Sequence, residues 1–183
     1  MTGASFVPQL DFDHFSILHT LAKRTQKFHK KGELTPEQLW FGAYYKKEIQ
    51  SGFFPEVTLR WIDNAVGWGL FAKRAFKKGE FIVEYAGKVR KRRRDDVKNA
   101  YCFEYVIAPH IATRYTIDAR DQGGLGRLIN HSDKPNLRSA LATVDSISHV
   151  ILIAMEPIPK GAQLLYDYGA DYWKHRSRKA ALH

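Results

Sequence analysis

Apolar positions along this chain repeat with two different periods. Between residues 11 and 31 they fall at helical spacing: Phe15, Leu18, Leu21 and Ala22 share one face, and Gly32 stops the run. The next stretch, TPEQLWFGAYYKKEIQSG, offers Thr35 as an N-cap, Pro36 as the first helical residue and Gln38 to complete a capping box, with Gly52 able to close the helix. From Phe53 onward the period shortens to two. EVTLRWI, EFIVEYAG, YCFEYVI, RYTIDA, HVILIAM and QLLYDYG are rich in β-branched and aromatic residues and are separated by Gly, Pro or charged clusters. No helix alternates with these strands, which argues against a parallel βαβ sheet. Only RDDVKNA and GGLGRLIN have room for short helices. The pattern predicts a mainly β domain with short helices, carrying an N-terminal helical appendage.

One internal echo organises the strand region. GLFAKRAFKKGEFIVEYAG (69–87) and ILIAMEPIPKGAQLLYDYG (151–169) superpose at a constant offset of 82 residues. Each reads as a strand, a Lys-Gly turn and a second strand ending in aromatic-x-Gly. Two copies are too few for a solenoid. They predict two similar corners in one domain, one delivering Tyr85 and the other Tyr166 and Tyr168.

Composition narrows the chemistry. A chain of 183 residues, 44% of them hydrophobic, is one domain with enough apolar material for a core. Its single cysteine, Cys102, excludes an intrachain disulfide and a cysteine-built zinc site, and its aromatic strand setting favours packing over nucleophilic work. No apolar run is long enough to span a bilayer, and the N-terminal stretch MTGASFVPQLDFDHF lacks a secretory signal pattern. Cytosol or nucleus is therefore the expected compartment. The net charge of +10 favours polyanions or acidic partners. Its densest run, VRKRRRDD (89–96), has several readings: a solvated loop, a contact with nucleic-acid phosphates through 90–94, a nuclear address, or a reader of an acidic substrate surface. No aromatic residue interleaves 90–94, which argues against a single-strand stacking platform.

The segment GRLINHSDKPN, Gly126 to Asn136, turns from an apolar run into Asn130, His131 and Ser132, followed by residues suited to neither a helix nor a central strand. A surface turn and a ligand-binding loop both fit it. Its company decides. GWGLFA, GEFIVEYAG, YCFEYV, GRLINHSDKPN and QLLYDYG occur in the order found in SET-domain protein lysine methyltransferases, and the chain resembles that family over about residues 56 to 173.

The resemblance implies a β-clip fold of several small sheets with a C-terminal pseudoknot, in which the Asn-His segment runs beneath the last strand and walls the cofactor pocket. It divides the chain into an N-terminal helical segment (1–55), the SET domain (56–170) and a basic tail (171–183) that closes the cofactor site. It implies S-adenosylmethionine as cofactor and S-adenosylhomocysteine as product, with no metal. Tyr168 would be the catalytic tyrosine, with Tyr85 and Tyr166 beside it. Tyr85, Tyr101, Phe103, Tyr166 and Tyr168 would line the substrate-lysine channel. Gly67, Trp68, Gly69, Tyr101, Arg127, Leu128, Asn130, His131, Tyr168 and Tyr172 match cofactor-binding positions, with Trp173 able to help Tyr172 cover the adenine. His131 would act through its backbone rather than as a base. Tyr166 influences how many methyl groups are added, and a tyrosine there implies mainly mono- and at most dimethylation.

The chain departs from many nuclear members in lacking flanking cysteine-rich zinc clusters, as compact viral and bacterial members do; a microbial effector would act in the host nucleus. The expected substrates are histones or histone-like proteins. Two alternatives stay open: an inactive SET-fold module associating with chromatin or DNA, and a methyltransferase of a non-histone protein. An exposed apolar face on the first two helices would favour a homodimer.

Overall fold

A computed structural model describes residues 3–174 of the chain. In order, its elements are β1 (Ser5–Phe6), β2 (Asp11–Phe12), α1 (Phe15–Lys30), α2 (Pro36–Tyr44), α3 (Lys46–Ser51), β3 (Val57–Asp63), β4 (Gly67–Ala72), β5 (Phe81–Glu84), β6 (Gly87–Lys91), β7 (Cys102–Ala108), β8 (Ile111–Gly123), β9 (Asn130–His131), β10 (Leu137–Val144), β11 (Ile147–Ala154), β12 (Leu165–Tyr166) and α4 (Ala170–Trp173). Single 3-10 helices span Arg94–Lys98 and Leu125–Leu128, within the two segments expected to be helical. Three small sheets result. One runs β1-β8-β6-β2 with β7 also on β8; a second runs β5-β11-β10-β12-β9; the third is the β3–β4 hairpin.

The helical segment lies against these sheets. Ile17 and Leu21 of α1 pack with Val89, Tyr115 and Ile117, while Phe28 joins Leu34, Ile107 and Ile111. The buried line of α1 is thus Ile17, Leu21 and Thr25; Phe15, expected on that face, is exposed and stacks on His19. Residues 11 and 12, read as the start of the helix, instead form β2 on β6. Thr35 caps α2 as expected, its Oγ1 accepting from Gln38 N–H at 3.1 Å. The Gln38 side chain does not reach back to complete the box. It is buried and donates to Ile107 O at 2.5 Å and Thr143 Oγ1 at 2.7 Å, because its helix faces the sheet at that position. The expected single helix also breaks at Tyr45, whose backbone leaves helical geometry (φ −101, ψ 19) while its hydroxyl donates to Gly79 O. Gly52 closes α3 with φ +62, as its position predicted. α2 comes so near β10 that a Cβ at Gly42 would fall on the Thr143 carbonyl, so only glycine fits there.

The internal echo is realised as a pair of facing corners. Phe76 and Ile158, 82 residues apart, exchange both backbone hydrogen bonds at 2.9 Å. Gly79 N–H donates to Ala154 O at 2.8 Å, and Gly161 N–H donates to Ala72 O at 2.8 Å, each the 82-residue counterpart of the other. Ala154 N–H to Glu80 O at 3.0 Å is likewise mirrored by Ala72 N–H to Ala162 O at 2.8 Å. Gly79 and Gly161 turn at φ +76 and +88, which their lack of a Cβ permits.

Besides the two-residue β1, β2 and β9, two longer strands escaped the periodicity. β10, LRSALATV, is too rich in small and polar residues to look like a strand, yet pairs with β11 along its whole length. β6, GKVRK, runs into the start of the basic run. That run therefore is not a continuous solvated loop. Arg90 is buried, which corrects its expected place in a phosphate-binding surface; Lys91, Arg92, Arg93 and Arg94 remain exposed.

Candidate active site

The site forms where the C-terminal strand is laid between β9 and β10. β12 pairs parallel with both, Leu165 opposite Asn130 and Tyr166 opposite both His131 and Leu137. Two asparagines stitch the crossing. Asn130 Nδ2 donates to Trp68 O at 3.0 Å, tying β9 to β4. Asn136 donates through Nδ2 to Gln163 O at 2.8 Å and accepts Leu165 N–H at 3.0 Å, doing with one amide what a neighbouring strand would do with its backbone. The role of Asn136 was not read from the sequence.

Tyrosines converge on this crossing from three directions. Tyr85 follows β5, Tyr166 lies on β12 with its ring 4.8 Å from that of Tyr168, and Tyr172 of α4 stands 4.6 Å from Tyr168 on the other side. Phe103 of β7 packs 5.2 Å from Tyr85. Tyr168 donates its hydroxyl hydrogen to Ile129 O at 2.8 Å, and Tyr85 donates to Tyr101 O at 3.0 Å. Each phenol thus directs its proton into a backbone carbonyl and leaves its oxygen lone pairs for the site. Burial pushes the Tyr85, Tyr166 and Tyr168 hydroxyls well above the ordinary tyrosine pKa, and neighbouring phenols, Tyr168 beside Tyr85 and Tyr166, and Tyr172 beside Tyr168, add to the shift. All three remain neutral phenols at physiological pH.

His131 is buried, and its Nδ1 accepts Tyr168 N–H at 3.2 Å, so Nε2 carries the ring hydrogen in the neutral form. A lone pair held by a backbone amide is not free to act as a base. Its ring faces Trp173 at 4.9 Å. Arg127 donates to Ala119 O at 2.8 Å and Arg120 O at 2.7 Å and covers the Tyr101 ring at 5.7 Å, so its guanidinium reaches the site through Tyr101. Leu128 packs with the cluster that holds Ile129 and Tyr166. Trp68 sets its ring against Trp61 at 5.5 Å. Cys102 sits beside charged groups, its thiol pushed up to about 11 by burial and by Asp118, and is inert at neutral pH.

The glycines and the donor set fit a ligand with polar ends. Gly67 adopts φ +84, and a Cβ at Gly69 would stand 2.8 Å from Gln163 Nε2 and 2.9 Å from Asn130 Nδ2. Gln163 Nε2 and Trp173 Nε1 are buried donors without a hydrogen-bond partner among the described residues. Buried donors are nearly always satisfied, so these two are available to donate to a bound molecule. These donors, with Asn130, are the groups that would hold S-adenosylmethionine.

Several supporting residues were not legible in the sequence. Glu84 Oε1 lies 2.6 Å from His149 Nδ1, and the pair clamps β5 to β11 where Tyr85 N–H donates to Val150 O at 2.8 Å. Arg90, Asp96 and Asp118 form a buried ionic knot. Asp96, Cys102 and Asp118 bring ligand atoms within 4.8 Å of one another, a spacing suited to a metal, but the Arg90 guanidinium supplies the positive charge among them.

Small sheets joined by a threaded crossing, with a tyrosine ring beside an Asn-His strand, define the SET-domain architecture. The SET-domain family model matches residues 67–169, and the chain belongs to that family. It is 39% identical over 126 residues to the histone-lysine N-methyltransferase Set8 of Drosophila melanogaster, a match covering 64% of this chain and 17% of the relative. It is 40% identical over 130 residues to N-lysine methyltransferase KMT5A-A of Xenopus laevis, covering 66% and 38% respectively. The chain thus spans well under half the length of these relatives. Among solved structures, one described as ctPRC2 in an autoinhibited conformation bound to S-adenosylmethionine superposes with a TM-score of 0.58 at 26% identity, over 69% of this chain and 17% of that one. Among the described residues no helix is long and apolar enough to cross a membrane.

Proposed function

We propose that this chain is an S-adenosylmethionine-dependent protein lysine N-methyltransferase acting on lysines of histones or histone-like proteins. The observation that carries the reading is the packing of the Tyr166, Tyr168 and Tyr172 rings, 4.8 and 4.6 Å apart, on the strand crossing that pairs Leu165 with Asn130 and Tyr166 with His131. The cofactor supplies an electrophilic methyl group on a sulfonium. The protein must then present a neutral amine in line with it. At pH 7.4 a free lysine is about three units below its pKa, a cost of roughly 4 kcal/mol. A channel walled by neutral aromatic rings lowers that cost by disfavouring the ammonium form. Tyr85 and Tyr168, with their protons engaged by carbonyls, offer oxygen lone pairs to the amine hydrogens and to the polarised methyl. Holding both partners in one narrow site supplies orientation, worth about 7–11 kcal/mol where the fit is good.

Incubation with labelled cofactor and histones H3 and H4, alongside a bacterial DNA-binding protein, tests the activity. Tyr166 carries the reading of multiplicity: its hydroxyl can hold a water in the space a further methyl would need, so the wild type adds mainly one group, reaching two at most. Mass spectrometry of the product is expected to shift upward in Tyr166→Phe. Dominant trimethylation by the wild type would refute this.

The relatives named for histones support action in a nucleus, that of a host if the chain is a microbial effector. The exposed cations Lys91, Arg93 and Arg94, together with an α1 that carries Lys23, Lys27 and Lys30 and no acidic residue, support contact with nucleic-acid phosphates near the substrate. Binding to duplex DNA should weaken with salt, and replacing Lys91, Arg93 and Arg94 by Ala should lower the log–log slope by about 2–3. An unchanged slope would remove these residues from the contact. A homodimer has less support: Phe41, Tyr45 and Ile49 lie in the core, and Phe15 of α1 with the stacked Trp40 and Tyr44 are the large apolar side chains these helices leave exposed. The basic tail expected to close the site falls, from residue 175 on, outside the described residues.

A further inference from the structure

We propose that Asn99 is a positioning residue which couples the buried Arg90–Asp96–Asp118 knot to the Tyr85 hydroxyl. The inference rests on the methyltransferase reading, since it concerns how that site is held. An unbroken series of hydrogen bonds carries it. Arg90 grips Asp96 in bidentate fashion, Nη1 to Oδ2 at 2.9 Å and Nη2 to Oδ1 at 2.6 Å, and grips Asp118 Oδ2 from Nε at 3.0 Å and Nη2 at 2.6 Å. Asp118 uses its other oxygen to accept Asn99 Nδ2–H at 2.9 Å and Arg120 N–H at 3.1 Å. Asn99, 2% exposed, turns its own Oδ1 to Tyr101 N–H at 3.0 Å. Tyr101 O then accepts both Ala119 N–H at 3.0 Å and the Tyr85 hydroxyl at 3.0 Å.

Each link leaves the next with little freedom. Charge-assisted bidentate bonds fix Asp118 far better than a neutral contact would. An amide can donate to one side and accept from the other, so Asn99 transmits that position to the 101 backbone. The Tyr101 carbonyl is what holds the Tyr85 hydroxyl hydrogen out of the site. If the carbonyl drifts, the Tyr85 phenol can rotate its proton inward, exchanging an acceptor for a donor where an amine must arrive. Such a change alters the chemistry at the reacting atoms while leaving the cofactor contacts around Asn130 untouched.

Asn99→Ala cuts the series at one point and keeps the ion pairs. Its kcat is expected to fall about tenfold, the scale of a modest misplacement in a site that depends on alignment. Peptide KM and affinity for S-adenosylhomocysteine should stay within twofold of wild type. In a Tyr85→Phe background the hydroxyl is already gone, so Asn99→Ala should then cost no more than a further factor of two. Equal losses in both backgrounds, or an unchanged kcat, would overturn the proposal. Asn99→Ser, too short to reach Asp118, gives the same comparison where the Ala variant does not fold. Should the wild type methylate nothing, the methyltransferase reading fails on its own, and the coupling is still read by nuclear magnetic resonance of ring-labelled tyrosine. The Tyr85 signal, assigned by its loss in Tyr85→Phe, is expected to shift in Asn99→Ala while that of Tyr105 stays in place; an unmoved Tyr85 signal refutes the coupling.

Discussion

Tyr168→Phe is expected to lower kcat by about 10²–10³-fold, the scale seen when one preorganised polar group is removed from a reacting centre. The variant keeps the ring, so the packing of Tyr168 against Tyr166, Tyr172 and His131 survives. It loses the hydroxyl that donates to Ile129 O, and with it the lone pairs that donation directs into the site. During transfer the methyl carbon becomes electron-poor between sulfur and nitrogen, and an oxygen acceptor held in place stabilises it without reorganising. The rings of His131, Tyr166, Tyr172 and Trp173 pack around Tyr168 and limit how readily water can substitute. Binding of S-adenosylhomocysteine should change little, since the Trp68–Asn130 tie and the Gly67–Gly69 strand are unaffected. Folding stability should drop by about 1 kcal/mol for the lost hydrogen bond. Single-turnover kinetics with a methylatable peptide makes the measurement. A rate within threefold of wild type would remove Tyr168 from the catalytic role.

The largest loss of stability is expected at Arg90. Arg90→Met keeps a long apolar stem and strips the charge from between Asp96 and Asp118, leaving two carboxylates close together and poorly solvated. Breaking a buried pair in this way typically costs about 3–5 kcal/mol. For a chain of this size, each kcal/mol corresponds to about 2–4 °C in Tm. Calorimetry or denaturant unfolding reads the effect, and a loss below 1 kcal/mol would mean the knot adds little.

The same groups set a pH dependence with a definite sign. Burial alone would raise the Asp96 and Asp118 carboxyls, but hydrogen bonds from Arg90, from backbone amides and, at Asp118, from Asn99 outweigh it, and both lie below the ordinary 3.8. A carboxyl with a depressed folded pKa contributes stability that is complete above its unfolded pKa and is lost as the pH falls through the folded value. The wild type should therefore lose stability below about pH 4, and Arg90→Met should lose less over that interval.

Much of the family was legible because its motifs are local. Thr35 and Gly52 bound the helices through their own backbone geometry, and the Lys-Gly turns mark both corners, since a positive φ or a missing Cβ is a property of one residue. The motif order placed Asn130, Tyr85, Tyr166 and Tyr168 together before any coordinate did. Residues whose role depends on a partner far along the chain could not be read this way. Arg90 looks like one cation of five until Asp96 and Asp118 are seen around it. Gln38 looks like a cap residue until Ile107 and Thr143 claim its amide, and Asn99 is one residue of a candidate short helix until Tyr101 and Asp118 lie on either side.

By itself, then, the sequence determined the family, the mainly β architecture, the two equivalent corners and the tyrosines that meet at the crossing. The tertiary structure alone decided which charges are buried, which carbonyls take the tyrosine protons, and that LRSALATV is a central strand. The physical reason is separation along the chain. Backbone conformation and side-chain period are written in neighbouring residues, whereas a hydrogen bond or ion pair across the fold exists only once both partners have been carried to the same place.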